Sequence, residues 1–587
     1  MFEAEQNQIQ QLILSYCAAH DLPQPALVWV WIPFSGEWGI STSFFQTAAQ
    51  EARQGKAVGN VAARAQEIAQ AVADHLGKPQ GFERVEAVRG YLNLYYSSYE
   101  YSRRVLEEVL ARGADFARGA AKGQRVMVEF SQPNTHKAFH VGHLRSAILG
   151  DAICRMLDFA GYDVVRTNYP GDIGLHVIKW LWNYINFHRG EKPERDITRW
   201  MGDIYLEANR RLEANPELEA EVRALYLRWD QQDPIVVQLW QNTRQWSLNG
   251  FNDMYAELDI PFDRYYFNST VEQEGKRVVE DLIARGIAED GRPNGEAVVV
   301  KLDELLGLKE KYRVLVVLRS DGTALYATED LALTMRKFAD YPDLVRSLYV
   351  VDVRQSLHFQ QIFKTLELAG FAPAGLCQHI PYELVTLPGN VAMASREGTV
   401  VLLEDLLREA TSRALEIVQA KNADLTLEKQ TAIAKAVAVG AIKYTMLARE
   451  NTKLATFDWQ TALDFNGQAA PYIQYAYVRA GSILRKAGGT LPEFPAQVNF
   501  EPVEVQLVDL ISRMPAEVQR AAEEYRPLGI ANLAYELART FNDFYAQCPV
   551  LQAEGDLRAA RLRLVAATRQ ALANSLALLG ITAPQAM

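Results

Sequence analysis

Apolar residues recur at helical spacing through residues 9–18, 61–76 and 99–110, with one short strand-like run at 90–96. The Ala/Gly-rich GADFARGAAKG that follows, residues 113–123, reads as a linker, placed at 114–124. Next comes a compact apolar strand at 126–130, broken by SQPN. Apolar positions then fall at Leu149, Ile153, Met156, Leu157 and Ala160, which predicts a helix that Gly161 stops before a second strand at 163–168. A strand, helix, strand unit of this kind builds parallel sheets. Strand-like runs at 297–302, 313–319, 348–353 and 379–384, interleaved with helices, fit a resumed doubly wound sheet. Between the two sets, residues 176–250 are helical and rich in Trp and Tyr; they read as packing or an inserted element with no chemistry of their own. From about residue 433 the pattern is helical to the end, broken once by GGTLPEFPAQVNFEP. The expected fold is α/β: a Rossmann-type parallel-sheet domain over 125–430 with an insertion within about 190–320, an α+β domain over 1–113, and an all-α domain over 431–587.

Composition narrows this picture little. A chain of 587 residues with 49% hydrophobic content is ordinary globular material with room for several cores. The net charge of -11 excludes a protein coated in basic surface, so a nucleic-acid partner must be met by local patches. Cys17, Cys154, Cys377 and Cys548 lie far apart, without the spacing of a zinc ribbon or a disulfide framework, and read as reduced thiols. The start MFEAEQNQIQ has no basic n-region, and no apolar run approaches the roughly 18 residues of a membrane span. A soluble, cytoplasmic protein is expected.

Candidate chemistry concentrates in THKAFHVGHL, residues 135–144, at the start of the predicted helix. A helix N-terminus presents unpaired N–H groups and the positive end of the dipole, so anions bind there. Gly142 lets the backbone approach a ligand, while His140 and His143 supply ring donors for phosphate oxygens. The set suits nucleotidyl transfer in the crevice outside the strand ends. Two incidental histidines near a turn are the bland alternative. A metal site of His136, His140 and His143 is a third, disfavoured because no Cys or HExxH-like acid accompanies the trio.

The run VEFSQPNTHKAFHVGHLRSAILGDA resembles the signature of arginyl-tRNA synthetases, class I enzymes whose HIGH motif is represented by His140, Val141, Gly142 and His143. DGTALYATEDLAL, DVRQSLHFQQIF, GAIKYTMLARENTKLATFDW, GQAAPYIQYAYVRAGSILRK and the tail ANSLALLGITAPQAM look like stretches of that family in the same order. The resemblance implies a two-step reaction, in which ATP and arginine give arginyl-adenylate and pyrophosphate before the terminal ribose of tRNA(Arg) takes the arginyl group. ATP with Mg2+ as co-substrate is implied, and no tightly bound protein-ligated metal is expected; nor is a membrane, and the chain is expected to be a monomer. His140, Gly142, His143, His358, Met393 and Ser395 are implied at ATP. Glu129, Asn134, Tyr326, Asp330 and Gln355 are implied at L-arginine, whose planar guanidinium asks for carboxylates. Tyr472, Gln474, Tyr475 and Arg479 are implied at tRNA, with part of the surrounding Tyr and Ile set facing the core, and the 1–113 domain is implied as a further tRNA contact.

One stretch departs from the family pattern. Where class I enzymes carry Lys-Met-Ser-Lys-Ser, this chain has Met393, Ala394, Ser395, Arg396, Glu397 and Gly398, without either lysine. Losing a preorganised charge donor costs roughly 100- to 1,000-fold in rate, so Lys137 and Arg396 are expected to supply the missing catalytic charge. A synthetase-like protein that binds tRNA or amino acid without catalysis is the runner-up. A small-molecule nucleotidyltransferase is more distant, having no need of the long helical C-terminal domain.

Overall fold

The structure, a computed structural model, describes residues 2–55, 59–387, 391–392 and 402–587. The chain divides into two compact units, one of residues 1–116, 475–515 and 533–574, the other of residues 117–474, 516–532 and 575–587.

In the first unit an antiparallel sheet runs in the order Val30–Trp31, Gly39–Ser43, Tyr91–Tyr96, Phe82–Val88. Only the run at 90–96 was legible as a strand. Its neighbours are short or half-buried, so alternation hardly shows in them. Helices Glu3–Ala19, Val61–Leu76 and Ser98–Arg112 match the predicted helical spacing.

The second unit is built on a five-stranded parallel sheet. In chain order its strands are β1 (Arg125–Glu129), β2 (Asp163–Asn168), β3 (Arg264–Tyr265), β4 (Leu344–Asp352) and β5 (Cys377–Tyr382), arranged 5-4-1-2-3. The strand order reverses beside β1, and ligands of open α/β sheets sit outside the strand ends at such a switch point. Helix α1 (Val141–Phe159) follows β1 and is buried along most of its length. It packs so closely on the strand that a Cβ at Gly150 would lie 2.2 Å from the Phe130 ring. Helices α2 (Tyr326–Asp340) and α3 (Ser356–Leu368) flank β4.

Two of the four later strand-like runs do not join this sheet. Val298–Lys301 and Val314–Leu318 pair antiparallel with each other, and Glu289–Asp290 completes a separate three-stranded sheet. Alternating burial along Val298–Lys301 and Val314–Leu318 marks one covered and one open face, as in antiparallel sheets. Helices Leu175–Phe187, Ile197–Ala214, Glu219–Asp230 and Pro234–Glu257 enclose an aromatic core around Trp180, Trp182 and Trp240. Helix Leu427–Leu447 runs through residue 431, so the expected domain edge there falls inside a helix. No helix among the described residues is long and apolar enough to cross a membrane.

Candidate active site

The loop from β1 to α1 holds three non-glycine residues at positive φ: Ser131 (76°), Gln132 (49°) and His136 (60°). Such conformations persist only where the surroundings over-determine them, and here each one is tied down. Ser131 N donates to Ser146 Oγ, and its hydroxyl shares a 2.7 Å bond with Tyr255. Gln132 N donates to Asn168 Oδ1, and His136 N to Ser247 Oγ. His136 is fully buried, its two ring nitrogens bonded to the Thr135 and Thr243 hydroxyls. That takes it out of any metal-binding trio with His140 and His143.

His140 caps α1. Its Nδ1 accepts the Gly142 N–H at 3.1 Å, and a Cβ at Gly142 would meet the His140 ring at 2.9 Å, so the glycine makes room for the folded-back imidazole. The His143 ring stacks on it with centroids 3.8 Å apart. Burial, followed by the nearby Lys137 charge, pushes His140 down to about 4. Burial, His140 and Lys137 hold His143 well below its usual range. Both rings are therefore neutral at pH 7, and with Nδ1 of His140 acting as acceptor its Nε2 carries the proton, available to an oxyanion. Lys137 is half-buried, its ammonium 5.0 Å from the Tyr205 ring centroid.

Met393, Ser395 and Arg396 lie outside the described residues. Beyond them, Leu402 forms a β-bridge with His140, and Leu403 N donates to Phe139 O. On the near side, Arg145 reaches from the first turns of α1 into a cage of backbone carbonyls from Glu383, Leu384, Glu450, Asn451 and Lys453, at 2.5 to 3.5 Å. Burial in this cage, with no acidic side chain bonded to it among the described residues, lowers its guanidinium to about 10.

The expected arginine ligands gather at the carboxyl ends of β1 and β4 and the start of α2. Glu129 closes β1, accepts a 2.6 Å bond from Gln132 Nε2 and pairs with Lys337 at 2.5 Å. Tyr326 opens α2, largely exposed, and Asp330 one turn on accepts from His358 Nε2 at 2.6 Å. Gln355 is exposed on the turn after β4. Asn134 bridges to Gly171 and lines a cavity of about 790 Å3 together with His176, Arg223, Tyr226, Arg319, Tyr326 and Glu329.

Several of these residues escaped the sequence reading. Glu329 is buried on the cavity wall and bonded to Asn268; burial, and then Asp330, Glu272 and Asp172 against the Asn268 bond, raise its carboxyl to about 8. Tyr169 has a buried hydroxyl with no hydrogen-bond partner among the described residues, and the charges of Asp330, Glu329, Glu129 and Asp172 act on it. Arg223 and Tyr226 come from the 176–250 segment, to which no chemistry was ascribed. Their three-residue spacing on helix Glu219–Asp230 was the available signal.

Of the expected tRNA contacts, Gln474 is interior, its amide donating to Ala436 O and Thr582 O. Tyr472 is half-buried. Arg479 lies over the Tyr475 and Tyr545 rings at 4.7 and 5.0 Å and bonds to Asn542.

Comparison with known proteins shows the family. Residues 105–459 match the family described as tRNA synthetases class I (R), catalytic domain, and residues 473–587 match the DALR anticodon binding domain. The chain is 37% identical over 528 residues to an arginine–tRNA ligase of Clostridium perfringens, covering 89% of this chain and 90% of that one. It is 36% identical over 511 residues to one of Bdellovibrio bacteriovorus, covering 85% and 86%. The solved structure of Thermus thermophilus arginyl-tRNA synthetase superimposes with a TM-score of 0.74 at 28% identity, covering 99% of this chain and 100% of the other. The chain belongs to the class I arginyl-tRNA synthetase family.

Proposed function

We propose that this chain activates arginine with ATP and charges tRNA(Arg), with its roles distributed as follows. ATP, carrying Mg2+, lies at the α1 N-terminus, where His140 Nε2 and His143 donate to phosphate oxygens and Lys137 and Arg396 add positive charge. Asn134 and Gln355 hold the α-amino and carboxylate groups of arginine, while Glu129, Asp330 and Tyr326 take the guanidinium. The arginine carboxylate attacks the α-phosphorus and pyrophosphate leaves. The terminal ribose 2′-hydroxyl then attacks the adenylate carbonyl and AMP leaves.

The observation that carries this reading is the pairing of an anion-binding helix start with a cluster of carboxylates around one buried phenol, without a hydrogen-bond partner among the described residues, at the same sheet edge. The adjoining cavity, walled by Arg223, Arg319, Tyr226 and Tyr326, suits a nucleotide end, with guanidinium for phosphate and rings for a base. The Tyr475–Arg479–Tyr545 cluster supports an anticodon contact within 431–587. Residues 1–113 are taken as a further tRNA contact, and the working enzyme as a cytoplasmic monomer. Asp330→Asn tests the pocket: the arginine KM should rise about 100-fold, the scale of a lost charged hydrogen bond, with ATP KM moving far less. An unchanged arginine KM would remove Asp330 from the reading.

A further inference from the structure

Lys337 sits two turns beyond Asp330 on α2, so it shares the face that carries Tyr326 and Asp330. Its side chain has no solvent exposure, and its ammonium lies 2.5 Å from Glu129 Oε2 and 3.8 Å from the centroid of the Tyr349 ring. Glu129 and Tyr349 are opposite one another on β1 and β4, so the cation is held between the helix and the middle of the sheet. As a stabiliser such a pair is poor, because two desolvated charges do no better than two apolar side chains of the same volume. Its position suggests another use. The second oxygen of Glu129 already accepts from Gln132, and the Glu129 charge acts on the buried Tyr169 hydroxyl, which has no hydrogen-bond partner among the described residues.

We propose that Lys337 is a specificity-determining residue for arginine. Its ammonium pairs with Glu129 and occupies the place at Oε2 that the ammonium of a lysine substrate would take, leaving the remaining acceptor edge to a planar guanidinium. The inference rests on the reading that Glu129 receives the substrate guanidinium. A lysine substrate would set a second ammonium beside the resident one, and like charges in a buried site repel strongly. A guanidinium spreads its charge and can reach two carboxylates through its fork. Without Lys337, Glu129 loses at this depth the cation that pairs with it and holds it in place for the guanidinium. Citrulline, the neutral isostere of arginine, makes no charge pair with Glu129 and so depends far less on how that carboxylate is held.

The test is equilibrium binding of arginine, citrulline and lysine to the full chain bearing Lys337→Met, Lys337→Arg, Glu129→Gln, or both Glu129→Gln and Lys337→Met. Lys337→Met should weaken arginine about 100-fold, the scale for breaking a buried charge pair, and citrulline much less, so that the preference between them collapses. Lys337→Arg should keep the preference. A folded Lys337→Met chain with the original arginine-to-citrulline ratio would overturn the proposal. Should that variant not fold, the double variant removes both buried charges. There, Lys337→Met should change the preference no further than Glu129→Gln alone, and a clear additional change would show that Lys337 acts elsewhere and overturn it. Undiminished arginine binding by Glu129→Gln would overturn the reading of the pocket and the proposal with it. Damage by Glu129→Gln alongside an innocent Lys337→Met would overturn the proposal alone.

Discussion

His358 Nε2 donates to the Asp330 carboxylate across 2.6 Å, joining a residue expected at ATP to one expected at arginine. The bond runs from α3 to α2, and both partners are only partly exposed. In the proposed reading, substrate on one side then bears on the orientation of the other.

His358→Ala is accordingly expected to raise the KM for arginine as well as that for ATP, each by about tenfold, the low end of the range for one hydrogen bond to a charged group, because it removes the partner of Asp330 and leaves the carboxylate itself in place. Steady-state pyrophosphate exchange with each substrate varied in turn reads both constants. A change confined to ATP would show that the bond does not position Asp330.

The neutral state of the motif histidines has a consequence for stability. A histidine of ordinary pKa 6.5 that is held at about 4 in the fold binds its proton later than the unfolded chain does. The unfolded state is then favoured as pH falls, so this stability is fully present above about 6.5 and is lost progressively toward 4. Denaturant melts at pH 7 and pH 5 should show the unaltered chain losing more stability than His140→Asn. Equal losses would mean that His140 is not held neutral.

Glu329 works in the opposite sense. With its carboxyl raised to about 8, the folded chain holds a proton there that the unfolded chain releases near 4.5, so its contribution is present below 4.5 and is lost as pH rises through 8. Asn268, Asp330, Glu272 and Asp172 are the groups that face it. A guanidinium entering beside Asp330 favours the ionised form, so arginine binding at pH 7 should release a proton and tighten as pH rises from 6 to 8. Calorimetry in buffers of different ionisation enthalpy measures that release. It should vanish in Glu329→Gln, and a release that survives there has another source.

Lys137→Ala should slow adenylate formation about 100- to 1,000-fold, the scale for one preorganised donor, while leaving the thermal midpoint near its original value, because the ammonium is half-exposed and rests on the Tyr205 ring. An unchanged single-turnover rate would leave the lost lysines of the 393–398 segment without this substitute.

The strand, helix, strand core around the signature was legible because apolar spacing and the SQPN break agree with each other. The strand at 163–168 appears with those bounds. The runs at 298–301 and 314–318 were legible as strands but not as members of a separate sheet, since an apolar run looks alike whichever partner it pairs with. In YATED, the family resemblance pointed to Asp330, and its neighbour Glu329 was passed over. They point about 100° apart on a helix, so the choice depends on the helix starting at Tyr326, which sends Asp330 to His358 and Glu329 to the cavity wall. Lys337 was hidden by the expectation that lysines are solvated, and Gln474 by its polar side chain, although it is wholly buried.

Pyrophosphate exchange into ATP, with each of the twenty amino acids and with or without bulk tRNA, tests the central claim most directly. Exchange that depends on arginine alone, in at least one of the two conditions, is the predicted result. No exchange under either condition while tRNA still binds, or exchange supported by a different amino acid, would contradict the assignment of this site to arginine activation.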